Sequence, residues 1–265
     1  MPLISIITVN YNNLSGLRKT IESVNSQSFK DYEYLIIDGD STDGSKEFLE
    51  SNNSFIDFWI SEKDNGVYDA MNKGILYSKG QYLLFLNSGD YLADSNVLEA
   101  ISNEGMKAGI IYGNVIWDDL DKQFSHQYPD VLSFEHFITK ELPHQSTFIR
   151  KDLFADIGLY DTKYKIIADW KFFILAIFKH NSTYQHSQVY VSICDRQGMS
   201  CNPENSNQIA TDRNKILQDN FSPFLVDYNN LVQCRLECNN VKDEFSKAQN
   251  TLGYKIHQKI RKYIR

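Results

Sequence analysis

Four consecutive residues, Asn87, Ser88, Gly89 and Asp90, place a carboxylate in a turn directly after an apolar run. Residues 82–86 have the length and composition of a buried strand, so the carboxylate follows the strand's C-terminal end. Hard divalent cations prefer oxygen ligands, and the oxygens of a bound diphosphate can complete such a coordination shell. The segment is therefore a candidate metal site, although taken alone it is more often simply a turn.

Two further polar loops follow apolar runs, at residues 10–13 and 38–44. The runs themselves, residues 3–9 and 34–38, are short and rich in β-branched side chains, which is typical of strands buried in a parallel sheet. Between these runs Leu14, Leu17, Ile21 and Val24 recur at helical spacing, and strand–helix–strand units have parallel strands. Because ligands bind beyond the carboxyl ends of such strands, we expect the three polar loops to form one crevice.

The remaining elements follow from periodicity and turn residues. We predict Ser15 as the N-cap of the first helix. Strands are expected at 55–61, 82–86, 111–117, 144–150 and 188–195, and helices at 45–51, 68–78, 151–157, 168–180 and from 205 onward. This order predicts an α/β catalytic domain over residues 1–204, with halves at 1–92 and 93–204, and a helical extension over residues 205–265.

The composition indicates a folded protein and excludes several classes. The chain has 265 residues, of which 42% are hydrophobic and 13% aromatic, and this is ample for a packed core. Its formal net charge of −7 disfavours general binding to nucleic acid. The cysteines lie in the last third without a C-x-x-C pair, so we expect reduced thiols, and a zinc site is the less favoured interpretation.

Hydropathy predicts neither a signal peptide nor a membrane span, so we expect a cytoplasmic protein, on the membrane surface at most. Residues 251–265 nevertheless carry a formal charge of +5, which leaves −12 on the rest of the chain. Apolar residues recur every four positions in this segment, at Leu252, Ile256, Ile260 and Ile264. A basic amphipathic helix of this kind is typical of binding to anionic membranes, and equally of a solvated or packed terminal helix.

Four motifs together resemble glycosyltransferase family 2. They are Ile-Ile-Thr-Val-Asn-Tyr-Asn at 6–12, Ile-Ile-Asp-Gly-Asp-Ser-Thr-Asp-Gly-Ser at 36–45, the segment Glu-Lys-Asp-Asn-Gly-Val-Tyr-Asp-Ala-Met-Asn-Lys-Gly at 62–74, and Phe-Leu-Asn-Ser-Gly-Asp at 85–90. The resemblance is strong over residues 3–92 and looser to about residue 200. It implies a GT-A fold, a nucleotide-sugar donor and inverting transfer, and it is nearest to bacterial members that build O-antigen, capsule or other exopolysaccharide.

The resemblance assigns the nucleoside pocket to the first two loops. Val9 and Tyr11 would line it, with the tyrosine ring against uracil. Asp38 or Asp40 would accept a hydrogen bond from the base, because this chain reads Asp-Gly-Asp-Ser where many members read Asp-Asp-Gly-Ser. Lys73 would face the donor, or lie on the helix surface.

The same resemblance makes residues 87–90 the counterpart of the family's Asp-x-Asp metal motif. Asn87 replaces the first aspartate, and Gly89 stands where a second carboxylate is common. Asp90 is then the one charged ligand for Mn²⁺ or Mg²⁺, with Asn87, Ser88 and Gly89 against the donor. Metal binding without the donor should be weak.

An inverting transfer also needs a base, because an acceptor hydroxyl is a poor nucleophile. In the family this base is an aspartate near the start of a late helix, and Asp169 matches that position, with Asp161 as the fallback. An aspartate favoured by the helix dipole is the alternative for Asp169. His144 would contact phosphate or acceptor, and Arg196, in the loop 196–200, would meet the diphosphate.

The sequence therefore predicts a metal-dependent inverting glycosyltransferase. Its expected donor is a UDP-hexose or UDP-N-acetylhexosamine, and its expected acceptor is a saccharide on a polyprenyl diphosphate lipid. The alternatives are a nucleotidyltransferase and a non-catalytic sugar-nucleotide or glycan-binding module. The first of these usually has a glycine-rich basic loop near the N-terminus, where this chain has only Arg18 and Lys19 on a predicted helix.

Overall fold

The computed structural model describes residues 1–52, 54–119, 122–196 and 198–263, without the side chains of Leu252 and Tyr263. Ile264 and Arg265 of the predicted basic helix, and Gln197 of the predicted loop 196–200, lie outside the described residues. The chain divides into two compact units, Met1–Arg213 and Asn214–Arg265.

The first part of the chain alternates strands and helices as the sequence predicts. Strands β1 and β2 are buried along nearly their whole length, as expected of strands covered on both faces. The elements are β1 (Ile4–Asn10), α1 (Leu14–Asn25), β2 (Tyr32–Asp38), α2 (Ser45–Ser51), β3 (Phe58–Ser61), α3 (Val67–Tyr77), β4 (Tyr82–Phe85), β5 (Tyr91–Leu92) and α4 (Val97–Asn103).

The N-cap of α1 is Asn13, not Ser15 as predicted. Asn13 Oδ1 accepts a hydrogen bond from the Gly16 amide at 3.0 Å, whereas Ser15 lies inside the helix. Both residue types cap helices well, but the helix begins at Leu14, so its cap is the residue directly before Leu14.

The second part of the unit is less regular. It contains β6 (Ile110–Asp119), β7 (Lys122–His126), α5 (Phe134–Thr139), β8 (Thr147–Arg150), α6 (Leu153–Ile157), α7 (Ala168–Phe178) and β9 (Tyr184–Asp195). The strand predicted over residues 144–150 is wrong at its start, because His144–Ser146 form one turn of 3₁₀ helix before β8. Strand β8 therefore begins at Thr147, directly after this turn.

The described strands form one mixed sheet in the order β3-β2-β1-β4-β8-β6-β9-β5, with β7 paired to β6. The first four strands of this order are parallel, as expected. Strand β8 is antiparallel to both β4 and β6, so the sheet is not parallel throughout. The predicted α/β class is confirmed.

One hydrophobic core holds this sheet together. It combines Ile4 and Ile6 of β1 with Ile111 of β6 and Phe148 of β8, all at most 1% exposed. Each fully buried side chain of this kind stabilises the fold by about 1.5–3 kcal/mol. The shared core therefore fixes the predicted halves, 1–92 and 93–204, against each other.

The C-terminal region is helical, as predicted. Helix α8 (Ser206–Gln249) is interrupted at Phe221, whose φ of −135° is non-helical, two residues before Pro223. Proline lacks an amide donor and clashes with the preceding turn, which accounts for the break. Helix α9 (Leu252–Tyr263) follows. In the described part of the chain, no helix has both the length and the apolar character needed to cross a bilayer.

Candidate active site

The three polar loops meet at one edge of the sheet. The amide of Asn12 donates to Ser41 Oγ at 2.8 Å, which joins the first loop to the second. Asn13 Nδ2 donates to the carbonyl oxygen of Ser88 at 2.8 Å, which joins the first loop to the third. These contacts form because the three loops follow the C-terminal ends of adjacent parallel strands.

A cavity of about 370 Å³ opens beside the third loop. Five residues expected at the site line it: Asn87, Ser88, Asp90, His144 and Asp169. They come from the loop after β4, the 3₁₀ turn before β8 and the first turn of α7. The cavity thus unites the candidate metal motif with the candidate base.

Asp169 is held by two side chains from distant parts of the chain. His144 Nδ1 lies 2.8 Å from Asp169 Oδ2. Tyr68 Oη lies 2.6 Å from Asp169 Oδ1 and 2.8 Å from the carbonyl oxygen of Ile166. A hydroxyl has one proton, and the carboxylate is the stronger acceptor of the two. The other ring nitrogen of His144 lies 3.3 Å from Asn87 Nδ2, so a chain of polar contacts joins Asp169 to the third loop.

These contacts keep Asp169 ionised. Burial favours the neutral acid, but the hydrogen bond and charge of His144 and the hydrogen bond of Tyr68 outweigh it, and the pKa of Asp169 lies below its ordinary value. Burial and the charge of Asp169 raise the pKa of Tyr68 well above the usual value, so the tyrosine stays a donor. The Asp169 side chain remains 16% exposed, and it can therefore be reached from the cavity.

Asp90 is the second buried carboxylate of the site, at 5% exposure. It accepts hydrogen bonds from Gln145 Nε2 and from the Asp195 amide, both at 3.1 Å. Burial raises the pKa of Asp90 to about 6, although the charge of His144 and these hydrogen bonds oppose the rise. A bound cation would stabilise this poorly solvated carboxylate.

The residues at this loop fit a hard divalent cation. Asn87 Oδ1 is buried and accepts no hydrogen bond within the described part of the chain, so it is an oxygen without a partner in the same turn as Asp90. No group of three or more histidine, cysteine, aspartate or glutamate side chains suited to a metal occurs among the described residues. Phosphate oxygens of a bound ligand, or water, could complete the coordination of a cation at this loop.

The predicted nucleoside residues lie around the first and second loops. Tyr11 is 68% exposed. A Cβ atom on Gly39 would lie 3.2 Å from Tyr11 Cδ2 and 2.6 Å from Asp64 Oδ2. The Tyr11 ring and the Asp64 carboxylate therefore lie next to the backbone of Gly39, where a side chain would not fit without a shift of that carboxylate. Val9 is buried, and its carbonyl oxygen accepts a hydrogen bond from the Ser88 amide at 3.0 Å. Gly89 has a φ of +109°, a conformation that favours glycine.

Asp38 and Asp40 have different environments. Asp38 is fully buried and accepts hydrogen bonds from Asn10 Nδ2 at 2.7 Å, Ser41 Oγ at 2.6 Å and Ser61 Oγ at 2.6 Å. Asp40 is exposed with a φ of +64°. Asp38 therefore fixes the second loop to the neighbouring strands, while Asp40 presents its carboxylate to solvent.

The cavity that contains Asp169 is not lined by Lys73 or Arg196, nor by Val9, Tyr11, Asp38, Asp40 or Gly89. Lys73 Nζ lies 2.8 Å from Glu62 Oε1 on the surface of α3. Arg196 lies 3.3 Å from Asp119 Oδ2 and lines a second cavity of about 380 Å³. Their roles toward the donor stay predictions.

The structure adds residues that the sequence reasoning missed. Tyr68 and Asp64 belong to the quoted motif at 62–74, but the helical spacing assigns no function to Tyr68. Gln145 is adjacent to His144 in the sequence, and Asp195 ends β9. Position within the motif at 62–74 was the available signal for Tyr68 and Asp64, and adjacency to His144 was the signal for Gln145, whereas Asp195 carried none.

Comparison with known proteins identifies the family of the chain. The model of Glycosyl transferase family 2 matches residues 5–161. An uncharacterised glycosyltransferase of Mycobacterium tuberculosis is 34% identical over 183 residues, which are 66% of this chain and 69% of the relative. A PGL/p-HBAD biosynthesis glycosyltransferase of the same species is 32% identical over 181 residues, covering 64% of this chain and 68% of the relative.

Solved structures share the fold at low sequence identity. Staphylococcus aureus TarS 1–349 in complex with UDP has a TM-score of 0.62 and 17% identity, over 74% of this chain and 60% of that one. The mannosyltransferase PcManGT of Pyrobaculum calidifontis, in complex with GDP-Man and Mn²⁺, has a TM-score of 0.56 and 13% identity, over 84% of this chain and 64% of that one. This chain thus spans less than two thirds of either structure.

The mixed sheet, the crevice and these matches define a glycosyltransferase of GT-A fold. The chain belongs to glycosyltransferase family 2, as its motifs indicate.

The hydrogen bond from Tyr68 to Asp169 predicts a pH-dependent loss of stability in Tyr68→Phe. The variant removes one hydrogen bond to the buried Asp169 carboxylate, so the free energy of unfolding at pH 7 should fall by about 1–3 kcal/mol. Because the folded pKa of Asp169 is depressed, its contribution exists above the unfolded value of about 3.9 and disappears as pH falls through the folded value. The deficit should therefore shrink toward acid pH, as measured by urea denaturation.

Tyr160→Phe is the matched control. Tyr160 is buried with its ring centroid 5.5 Å from that of Tyr68, and its hydroxyl has no hydrogen-bond partner in the described structure. Its removal should cost little at any pH. Equal, pH-independent losses in the two variants would contradict the assigned hydrogen bond.

Proposed function

We propose that the protein transfers a sugar from a UDP-hexose or UDP-N-acetylhexosamine to an acceptor hydroxyl with inversion at the anomeric carbon. The observation that carries this proposal is the ionised, largely buried Asp169, which lines the same cavity as the Asn87–Asp90 loop. The TarS structures in complex with UDP and UDP-GlcNAc support the donor class.

Asp169 is the general base of this proposal. The acceptor oxygen attacks the anomeric carbon as the bond to the donor phosphate breaks, and the acceptor proton passes to Asp169. His144 and Tyr68 hold the two carboxylate oxygens in place. The dipole of α7 would stabilise the charge of any aspartate in the first turn of the helix, so it does not by itself identify Asp169 as a base.

Asp90, with the amide oxygen of Asn87, would hold the divalent cation. Mn²⁺ or Mg²⁺ there would stabilise the negative charge of the departing diphosphate. Ser88 and Gly89 complete the turn toward the donor, while Val9, Tyr11 and either Asp38 or Asp40 form the nucleoside side of the proposed site. PcManGT, the structural neighbour in complex with Mn²⁺, supports the choice of metal.

A second cavity supports an anionic acceptor. It shares Trp117, Glu141 and Cys201 with the first cavity, so the two adjoin. Its basic side chains are Lys140, Arg196 and Arg213. Arg213 lies 2.8 Å from Glu141 Oε2 and Arg196 lies 3.3 Å from Asp119 Oδ2, so these carboxylates hold both guanidinium groups in place and offset part of their charge. A saccharide on a polyprenyl diphosphate lipid would offer its diphosphate to these residues.

A lipid acceptor also requires approach to a membrane. Helix α9 carries Lys255, Lys259, Arg261 and Lys262, and its Ile256 and Ile260 are 49% and 54% exposed. Basic and apolar residues of this kind favour an anionic bilayer surface. We therefore propose that the protein acts at the inner face of the cytoplasmic membrane. Relatives named for PGL/p-HBAD and teichuronic acid biosynthesis support a glycolipid or polysaccharide pathway.

Asp169→Asn tests the base. Hydrolysis of UDP-glucose and UDP-N-acetylglucosamine, in which water replaces the acceptor, should slow by about 10²–10⁴-fold because the amide cannot take the proton. Calorimetric binding of UDP with Mn²⁺ should persist.

Asp161→Asn is the control, since Asp161 is paired with Lys171 at 2.6 Å and is the fallback candidate. It should keep its turnover. Loss of turnover in Asp161→Asn but not in Asp169→Asn would reassign the base. A parent chain that binds UDP without any turnover would favour a binding module.

Deletion of residues 251–265 tests the membrane proposal. The truncated chain should no longer sediment with phosphatidylglycerol vesicles, because it loses the basic apolar helix, and it should keep its UDP-sugar hydrolysis. Phosphatidylcholine vesicles serve as the neutral control. Unchanged vesicle binding, or loss of hydrolysis together with unfolding, would refute the proposed role of α9.

A further inference from the structure

The C-terminal part of α8 exposes apolar side chains to an unusual degree. Every residue from 233 to 249 is exposed. Val241 is 64% exposed and Phe245 is 58% exposed. A lone helix gains little stability from its own hydrogen bonds, and most helices depend on packing one apolar face. Exposed large apolar residues on such a helix therefore indicate a partner.

Six residues of this part of α8, between positions 231 and 248, form a stripe with the spacing of a coiled coil. Going along the helix, the steps alternate between three and four residues. We define the α8 seam as Leu231, Cys234, Cys238, Val241, Phe245 and Ala248. Leu231, Cys238 and Phe245 occupy heptad position a, and the other three occupy position d. No seam position is charged, although charged residues flank the seam on both sides.

The charged residues beside the seam indicate which helix can pair with α8 and whether the two helices run parallel. Position g holds Glu237 and Glu244, while position e holds Arg235 and Lys242. In a parallel pair, position g of one helix faces position e of the next heptad on the other helix, so Glu237 meets Lys242 of the partner subunit. In an antiparallel pair, g faces g and e faces e, which brings like charges together. The helix is thus complementary to a parallel copy of itself.

We propose that α8 forms a parallel, in-register two-stranded coiled coil with α8 of a second copy of this chain. The seam is self-complementary, as a two-fold symmetric dimer requires. The proposal concerns the helical unit and is independent of the transfer reaction.

The oligomeric state of the full-length chain tests the proposal. Sedimentation equilibrium under reducing conditions should give a dimer for the parent and a monomer for Val241→Asp, which buries a charge in the seam. The control is Leu236→Asp on the same helix, at position f outside the seam, where the side chain is 54% exposed. It should remain a dimer. A monomeric parent, or Val241→Asp that still dimerises, would overturn the proposal.

Charge exchange gives a second, milder test. Glu237→Lys places like charges opposite each other and should weaken dimerisation, whereas the double variant Glu237→Lys/Lys242→Glu should restore it. Both substitutions are at exposed positions, so folding should be preserved. Failure of the double variant to regain the parent dissociation constant would exclude the assigned pairing.

The cysteines report on register. Diamide, a two-electron oxidant, takes two electrons and two protons from a pair of thiols, which then form a disulfide. In the parallel register, Cys238 lies opposite Cys238 of the partner subunit, so Cys234→Ser should crosslink through it, and Cys238→Ser through Cys234. Cys234→Ser/Cys238→Ser should not crosslink. A dimeric sample in which neither single variant crosslinks would refute this register.

Discussion

A carboxylate inside a protein stays charged only if the surrounding groups replace the water that it loses. Asp169 meets this condition through Tyr68 and His144, which come from α3 and from the turn before β8. Three segments distant in the sequence must therefore be correctly placed before Asp169 can act as the proposed base. His144 extends the contacts to Asn87, so the same arrangement joins the proposed base to the proposed metal loop.

Strand direction explains how His144 reaches that position. Strand β8 is antiparallel to β4, with Leu83 opposite Ile149. The start of β8 therefore lies at the C-terminal end of β4, where the polar loop begins. A parallel strand in the same place would have sent residue 144 to the opposite edge of the sheet. The switch from parallel to antiparallel pairing is thus what completes the cavity.

The sequence predicts the first three loops and their convergence because parallel strand–helix units leave strong local signals, as in β1 and β2. It also predicts Asp169 and Asp90 through the family's motifs. The turn at His144 and the N-cap at Asn13 were missed, because local propensity does not locate element boundaries. Tyr68 and Gln145 acquire their contacts from segments far along the chain, which no local pattern specifies. The ion pairs of Lys73 with Glu62 and of Arg196 with Asp119 are likewise not specified by any local sequence pattern.

We propose that the crevice binds a nucleoside diphosphate through a cation held by Asp90. Isothermal titration of UDP into the full-length protein, with and without Mn²⁺, tests it most directly when it is repeated on Asp90→Asn. We expect UDP to bind the parent tightly only with Mn²⁺, and the gain from the metal to be lost in the variant. Failure of UDP to bind, or an equal gain from Mn²⁺ in both proteins, would contradict the claim.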